Sequence, residues 1–177
     1  MTGKQHQENR SVRRLAAILA TAVAVIGGYE GLRKTAYLDP VGIPTICYGA
    51  TAGVQLGQVK TLEECRELLA EDIYAANEIV DRCITVPLTE GQRIALVSFA
   101  FNVGPGRAGV KDGLCWLKNG RQPQIRQRFN RGDYAGGCRA LTEGWMTARG
   151  VKLPGLVRRR NEERAYCEGR VKIGEAA

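Results

Sequence analysis

At 177 residues the chain suits one domain, or two small lobes sharing a core, and is long enough to bury that core without a metal. Apolar residues at 44% and charged residues at 25% argue against a disordered body. A net charge of +8 favours a polyanionic partner, and with only 6% aromatics and no recognisable reading module nucleic acid is set aside for anionic lipid or an anionic cell-wall polymer.

The first segment, residues 1–14, is a polar, basic tail carrying Lys4, Arg10, Arg13 and Arg14 against Glu8. Residues 15–28 follow without a charge, as LAAILATAVAVIGG. A basic stretch before an apolar one has the texture of an export signal, and the basic flank places the tail on the cytoplasmic side. The run is shorter than the roughly 20 residues of a comfortable membrane span, and its Ala and Gly weaken any hold in lipid. Three readings stay open: a cleaved signal with a cut in Ala20–Ala24, a retained anchor, or the first helix of a soluble core.

The mixed-charge stretch 29–35 continues this run and reads as helix. From Tyr37 to Gly57 the texture turns to Gly, Pro and Thr among Ile, Val and Tyr, which predicts short strands and turns in a small β-hairpin region. Thr61-x-x-Glu64 then forms a capping box, and Leu62, Leu68, Leu69, Ile73, Ala76 and Val80 recur at helical spacing over 61–82. A second box, Thr89-x-x-Gln92, opens a strongly apolar helix ending at Asn102, the expected centre of the larger lobe. Shorter helices are predicted near Leu114–Lys118, Gln124–Asn130 and Tyr134–Leu141, a loop over Gly150–Gly155, and an Arg-rich helix over Leu156–Cys167. The expected class is α+β, mainly α, with one small sheet.

Six cysteines, Cys47, Cys65, Cys83, Cys115, Cys138 and Cys167, stand far apart without a Cys-x-x-Cys pair, and the chain's one histidine is His6 in the tail. Zinc ligation normally draws on close pairs, so no metal and no cofactor are expected; an even count fits three disulfides in an oxidising compartment. Six buried thiols in a cytosolic protein would be the alternative. Cys65 and Cys83 lie near opposite ends of one predicted helix, roughly 27 Å apart at 1.5 Å per residue, too far to pair. Cys47 in the hairpin can reach Cys65, which favours Cys83–Cys115 and Cys138–Cys167 for the rest.

Glu30, Asp39 and Thr45 are the candidates for chemistry. Glu30 follows an apolar stretch, where desolvation raises a carboxyl's pKa and lets it hold a proton to donate. Asp39 sits in a wetter turn beside Pro40 and Gly42 and stays ionised, with Thr45 placed to hold a water against it. Two carboxyls with unlike surroundings across a cleft suit glycosidic cleavage. The spacing alone also fits a helix-end Glu and a turn Asp, both solvated.

The run YEGLRKTAYLDPVGIPTICYGAT resembles the catalytic stretch of the phage-type lysozymes, glycoside hydrolase family 24, with Glu30, Asp39 and Thr45 on its three motif positions. ALVSFAFNVGPG at 95–106 is similar to that family's central helix, and LPGLVRRRNEERAYC at 153–167 to its final helix. The resemblance implies a catalytic domain over 29–168 with a short tail, 169–177, and a two-lobed fold: a hairpin lobe and a helical lobe joined by the long helix, the glycan between them. It implies a monomeric endolysin that hydrolyses the β-1,4 bond between N-acetylmuramic acid and N-acetylglucosamine, inverting configuration, with Glu30 as acid and Asp39 and Thr45 placing water. Phe101 and Asn102 match cleft-facing positions, Tyr48 is a supporting residue, and one of Arg158, Arg159 and Arg160, with Arg159 preferred, would pair with Glu30 from beneath.

Two departures stand out. Ala50 occupies a place where many relatives carry His, leaving Asp72 as an orphan partner at some expense in stability, and RAGVKDG at 107–113 differs from the family. The N-terminus resembles the signal-anchor-release segments of a subset of these endolysins. That implies a chain exported uncleaved, tethered to the inner membrane through 15–28 and inactive there because Glu30 abuts the membrane segment, then freed into the periplasm when the membrane potential collapses. A cytosolic enzyme let out by a holin is the plainer alternative. A lytic transglycosylase and a membrane-tethered, non-enzymatic peptidoglycan-binding protein are the rival functions.

Overall fold

The computed structural model describes residues 16–28, 31–39, 42–148 and 150–171. Helix α1 covers residues 16–27. Its Ile18, Leu19, Ala22 and Ile26 fall on one face and are buried in a cluster shared with the longer helices. In this fold residues 16–27 of the weakly apolar N-terminal segment are therefore a core helix.

Helix does not continue over 31–35, contrary to expectation. Strand β1 spans Arg33–Leu38 and pairs antiparallel with β2, Pro44–Cys47, in the register Arg33↔Cys47, Tyr37↔Thr45 and Leu38↔Pro44. The other edge of β1 is occupied as well: Lys60 N–H donates to the Lys34 carbonyl at 2.8 Å and Ala36 N–H to the Gln58 carbonyl at 2.9 Å. Partners far along the chain outweigh the helical texture of this stretch, as strand propensity is largely a matter of what a strand packs and pairs against.

Helix α2, Leu62–Cys83, starts at a complete capping box: Thr61 Oγ1 accepts from Glu64 N–H at 3.2 Å, and Glu64 Oε2 accepts from Thr61 N–H at 2.7 Å. Its 22 residues span about 33 Å. Each end is stapled. Cys65 bonds Cys47 in the hairpin lobe, and Cys83 bonds Cys115 in the helical lobe. Helix α3, Glu90–Val103, carries the second capping box and buries every residue from Ile94 to Ala100, so it runs through the centre of the larger lobe.

No helix forms at Leu114–Lys118. The segment is a tight loop whose Leu114 and Cys115 amides donate to the carbonyls of Gly104 and Pro105, at 3.0 and 2.8 Å. Gly106, at φ +74°, lets it close: a Cβ there would stand 2.0 Å from the Trp116 carbonyl oxygen. Helices α4, Gln124–Asn130, and α5, Tyr134–Ala140, lie where expected.

The loop expected over Gly150–Gly155 instead contains strand β4 (Val151–Lys152), paired with β3 (Thr147–Ala148) before it in a second small hairpin, and α6 already begins at Pro154 and runs to Cys167. Proline at the first helical turn gives up no bond and sets φ, so the helix starts earlier than its apolar pattern suggests. Among the described residues there are thus two two-stranded sheets where one was expected. Cys138–Cys167 ties α5 to the end of α6, and the three pairings are those the spacing favoured.

Candidate active site

The first hairpin delivers two of the three candidate residues to one place. Asp39 follows β1 directly, and Thr45 lies on β2 opposite Tyr37. Residue Ile43 joins them: its N–H donates to Asp39 Oδ1 at 2.8 Å, while its carbonyl accepts from Thr45 Oγ1 at 3.0 Å. Asp39 N–H also donates to the Ile43 carbonyl, at 3.0 Å, and Gly42 N–H to the Asp39 carbonyl, closing the turn. Gly42 sits at φ +83°, a conformation glycine adopts without strain. Asp39 is half-buried and Thr45 is buried. The carboxyl and hydroxyl are therefore set by one backbone unit.

Glu30, with Tyr29, lies outside the described residues. Tyr48 is half-buried and packs against both apolar clusters, that of the hairpin lobe around Ile46 and that of the helical lobe. Ala50 forms an isolated bridge with Ile46. On α2, burial and the neighbouring Glu71 raise the pKa of Asp72.

Phe101 and Asn102 occupy the last turn of α3, where the helical lobe opens into a cleft of about 510 Å³ lined by Asn102, Asp112, Leu117, Glu143, Trp145 and Thr147. Trp145 meets Phe99 edge to face, with ring centroids 4.9 Å apart. Phe101 lies under the guanidinium of Arg159, 5.8 Å from the ring centroid.

The three consecutive arginines of α6 have separate surroundings. Arg158 is exposed beside Glu162, the solvated face that at least one of them had to form. Arg159 and Arg160 are buried, and Glu163 lies between them. Burial pushes the Glu163 carboxyl up, against the pull of the Arg160 and Arg159 charges. Sequence reasoning did not single out Glu163 or its partner Ser98. The available signals were a Glu three and four places after two arginines, and a lone hydroxyl in an otherwise apolar helix. Among the described residues no group of His, Cys, Asp and Glu is placed to hold a metal ion.

Residues 27–163 match the model of the phage lysozyme family. The chain belongs to that family. A SAR-endolysin of Pseudomonas phage phiKMV is 39% identical over 155 residues, 85% of this chain and 88% of the relative. A SAR-endolysin of Enterobacteria phage P21 is 33% identical over 154 residues, 86% of each. The crystal structure of the active form of the P1 phage endolysin has a TM-score of 0.72 at 26% identity, covering 88% of this chain and 86% of that one. Family membership makes the chain a glycoside hydrolase of the lysozyme type, an endolysin acting on peptidoglycan for host-cell lysis.

Proposed function

We propose that the cleft hydrolyses the β-1,4 bond between N-acetylmuramic acid and N-acetylglucosamine, with Glu30 as general acid and Asp39 and Thr45 holding the attacking water. The observation that carries this reading is the double anchoring on Ile43, which holds the Asp39 carboxyl through its N–H and the Thr45 hydroxyl through its carbonyl. A proton donated to the glycosidic oxygen lets the leaving sugar depart as an alcohol, while an ionised Asp39 orients water and stabilises positive charge on the ring. Arg159, which is buried, is the proposed partner of Glu30. Phe101 and Asn102 form the glycan-facing wall. Mass spectrometry of the products tests the reaction type: hydrolysis leaves reducing muramic acid carrying the mass of one added water, whereas an anhydro product would replace hydrolysis by transglycosylation.

The second part of the proposal concerns export. The relatives of phages phiKMV and P21 bear the name SAR-endolysin, and this chain begins with a basic tail followed by a weakly apolar run. Among the described residues no helix is long and apolar enough to cross a membrane. Residues 15–28 serve first as a tether to the inner membrane and then as a core helix. The two states exclude each other, because Ile18, Leu19, Ala22 and Ile26 cannot face lipid while buried in the protein. This supports retention over cleavage: a cut in Ala20–Ala24 would strip Ile18 and Leu19 from the core. Domain limits follow as proposed, with 1–14 a tail, 15–28 the anchor helix, 29–168 the catalytic body and 169–177 a tail.

A further inference from the structure

Ser98 and Asn102 stand one helical turn apart on α3 and both meet α6 across a buried charged cluster. One oxygen of Glu163 accepts from the Ser98 hydroxyl at 2.7 Å and from Arg159 Nε at 3.2 Å; the other accepts from Arg160. Arg159 also reaches the Ser98 carbonyl at 3.1 Å. Arg160 is wholly buried, with its guanidinium 4.6 Å from the centroid of the Phe99 ring, and its second terminal nitrogen donates to Asn102 Oδ1.

The chemistry of this last bond fixes an orientation. A guanidinium carries donors and no acceptor, so the atom of Asn102 that faces it is the amide oxygen. The amide NH2 is then turned away from α6. Asn102 is exposed and lines the cleft beside Trp145. An aspartate at 102 would serve Arg160 better, as a charge-assisted pair, but would bring no donor to the cleft.

We propose that Glu163 and Arg160 are positioning residues that lock the Asn102 amide with its N–H donors toward the cleft, where they bind an amide carbonyl oxygen of the glycan substrate. Amide carbonyls next to the glycan chain are of two kinds: the acetamido group of each sugar, and the lactyl amide that joins the stem peptide to muramic acid, beyond which lie the peptide bonds of the stem itself. A neutral donor held in one orientation accepts either of them and rejects a group that offers only donors. The proposal rests on the muramidase reading of the cleft and specifies what this wall recognises.

Asn102→Asp tests it in the purified full chain, because it keeps an acceptor for Arg160 while removing both donors. Initial rates are measured on soluble glycan strands with stem peptides intact and with them removed. The expected result is a KM raised about three- to tenfold, the worth of one hydrogen bond, with kcat unchanged. A rise on both substrates assigns the acetamido group; a rise confined to the stem-bearing strand assigns the lactyl amide. Glu163→Gln should raise KM in the same direction and add nothing in the Asn102→Asp background, a coupling that a merely structural role would not produce. If either variant fails to fold, the wild-type side-chain amide resonance of Asn102 gives the answer, since it must shift when glycan strands are added. An unchanged KM for Asn102→Asp on both strands, or an amide resonance that stays still while the Trp145 indole signal moves, overturns the proposal. Failure of the wild type to cut either strand would defeat the muramidase reading itself.

Discussion

Glu64 at the start of α2 shows how a local bond ties stability to pH. Its carboxylate accepts from the Thr61 backbone N–H, which, with Thr61's side chain and nearby Lys60, holds its pKa below the ordinary carboxylate value. A carboxyl whose pKa is lower in the folded state stabilises fully above its unfolded value, and that contribution drains away as pH falls through the folded value. Glu64→Ala should therefore lower the urea midpoint at neutral pH, with the gap from wild type narrowing toward about pH 3. A gap that stays constant with pH would remove the carboxylate from the explanation. Asp72 runs the other way. Its raised pKa means that its ionised form opposes folding, because burial and the neighbouring Glu71 both disfavour the charge.

Among the secondary elements, those written in nearest neighbours were legible and those written in distant partners were not. Thr61-x-x-Glu64 and Thr89-x-x-Gln92 both form the boxes their spacing predicts, because every partner lies within one turn. The start of β1, residues 33–35, reads as helix in the sequence because its partners, in Pro44–Cys47 and residues 58–60, lie beyond the local pattern. Leu114–Lys118 was misread because its amides are taken by carbonyls of Gly104 and Pro105, a contact made possible by Gly106. The site divides in the same way. Asp39 and Thr45 were legible as members of one hairpin, whereas Glu163 takes its hydrogen bond from Ser98, 65 places away on another helix. The Cys83–Cys115 bond pins the 114–118 loop against the end of α2 and closes 32 residues of chain. Replacing both cysteines with serine should lower unfolding stability by about 2–4 kcal/mol. A loss within the error of a denaturant melt would show that the backbone bonds of the loop suffice.

At the scale of the whole molecule, the proposed anchor release requires one helix to satisfy two solvents. The composition of α1 is a compromise: Ile18, Leu19, Ala22 and Ile26 fill the core, while the small residues around them keep its hold on lipid weak. In cells, the full chain should cofractionate with the inner membrane and move to the soluble periplasm at unchanged length when the membrane is depolarised. A soluble product shortened at its N-terminus would replace anchor release by signal cleavage. The central claim, that a proton held at position 30 breaks the glycan, is tested most directly by hydrolysis of purified peptidoglycan by Glu30→Gln, which keeps the shape of the side chain and removes its acid. The rate should fall about 10²- to 10⁴-fold with the melting curve unchanged; a variant that clears peptidoglycan as fast as wild type would contradict the mechanism.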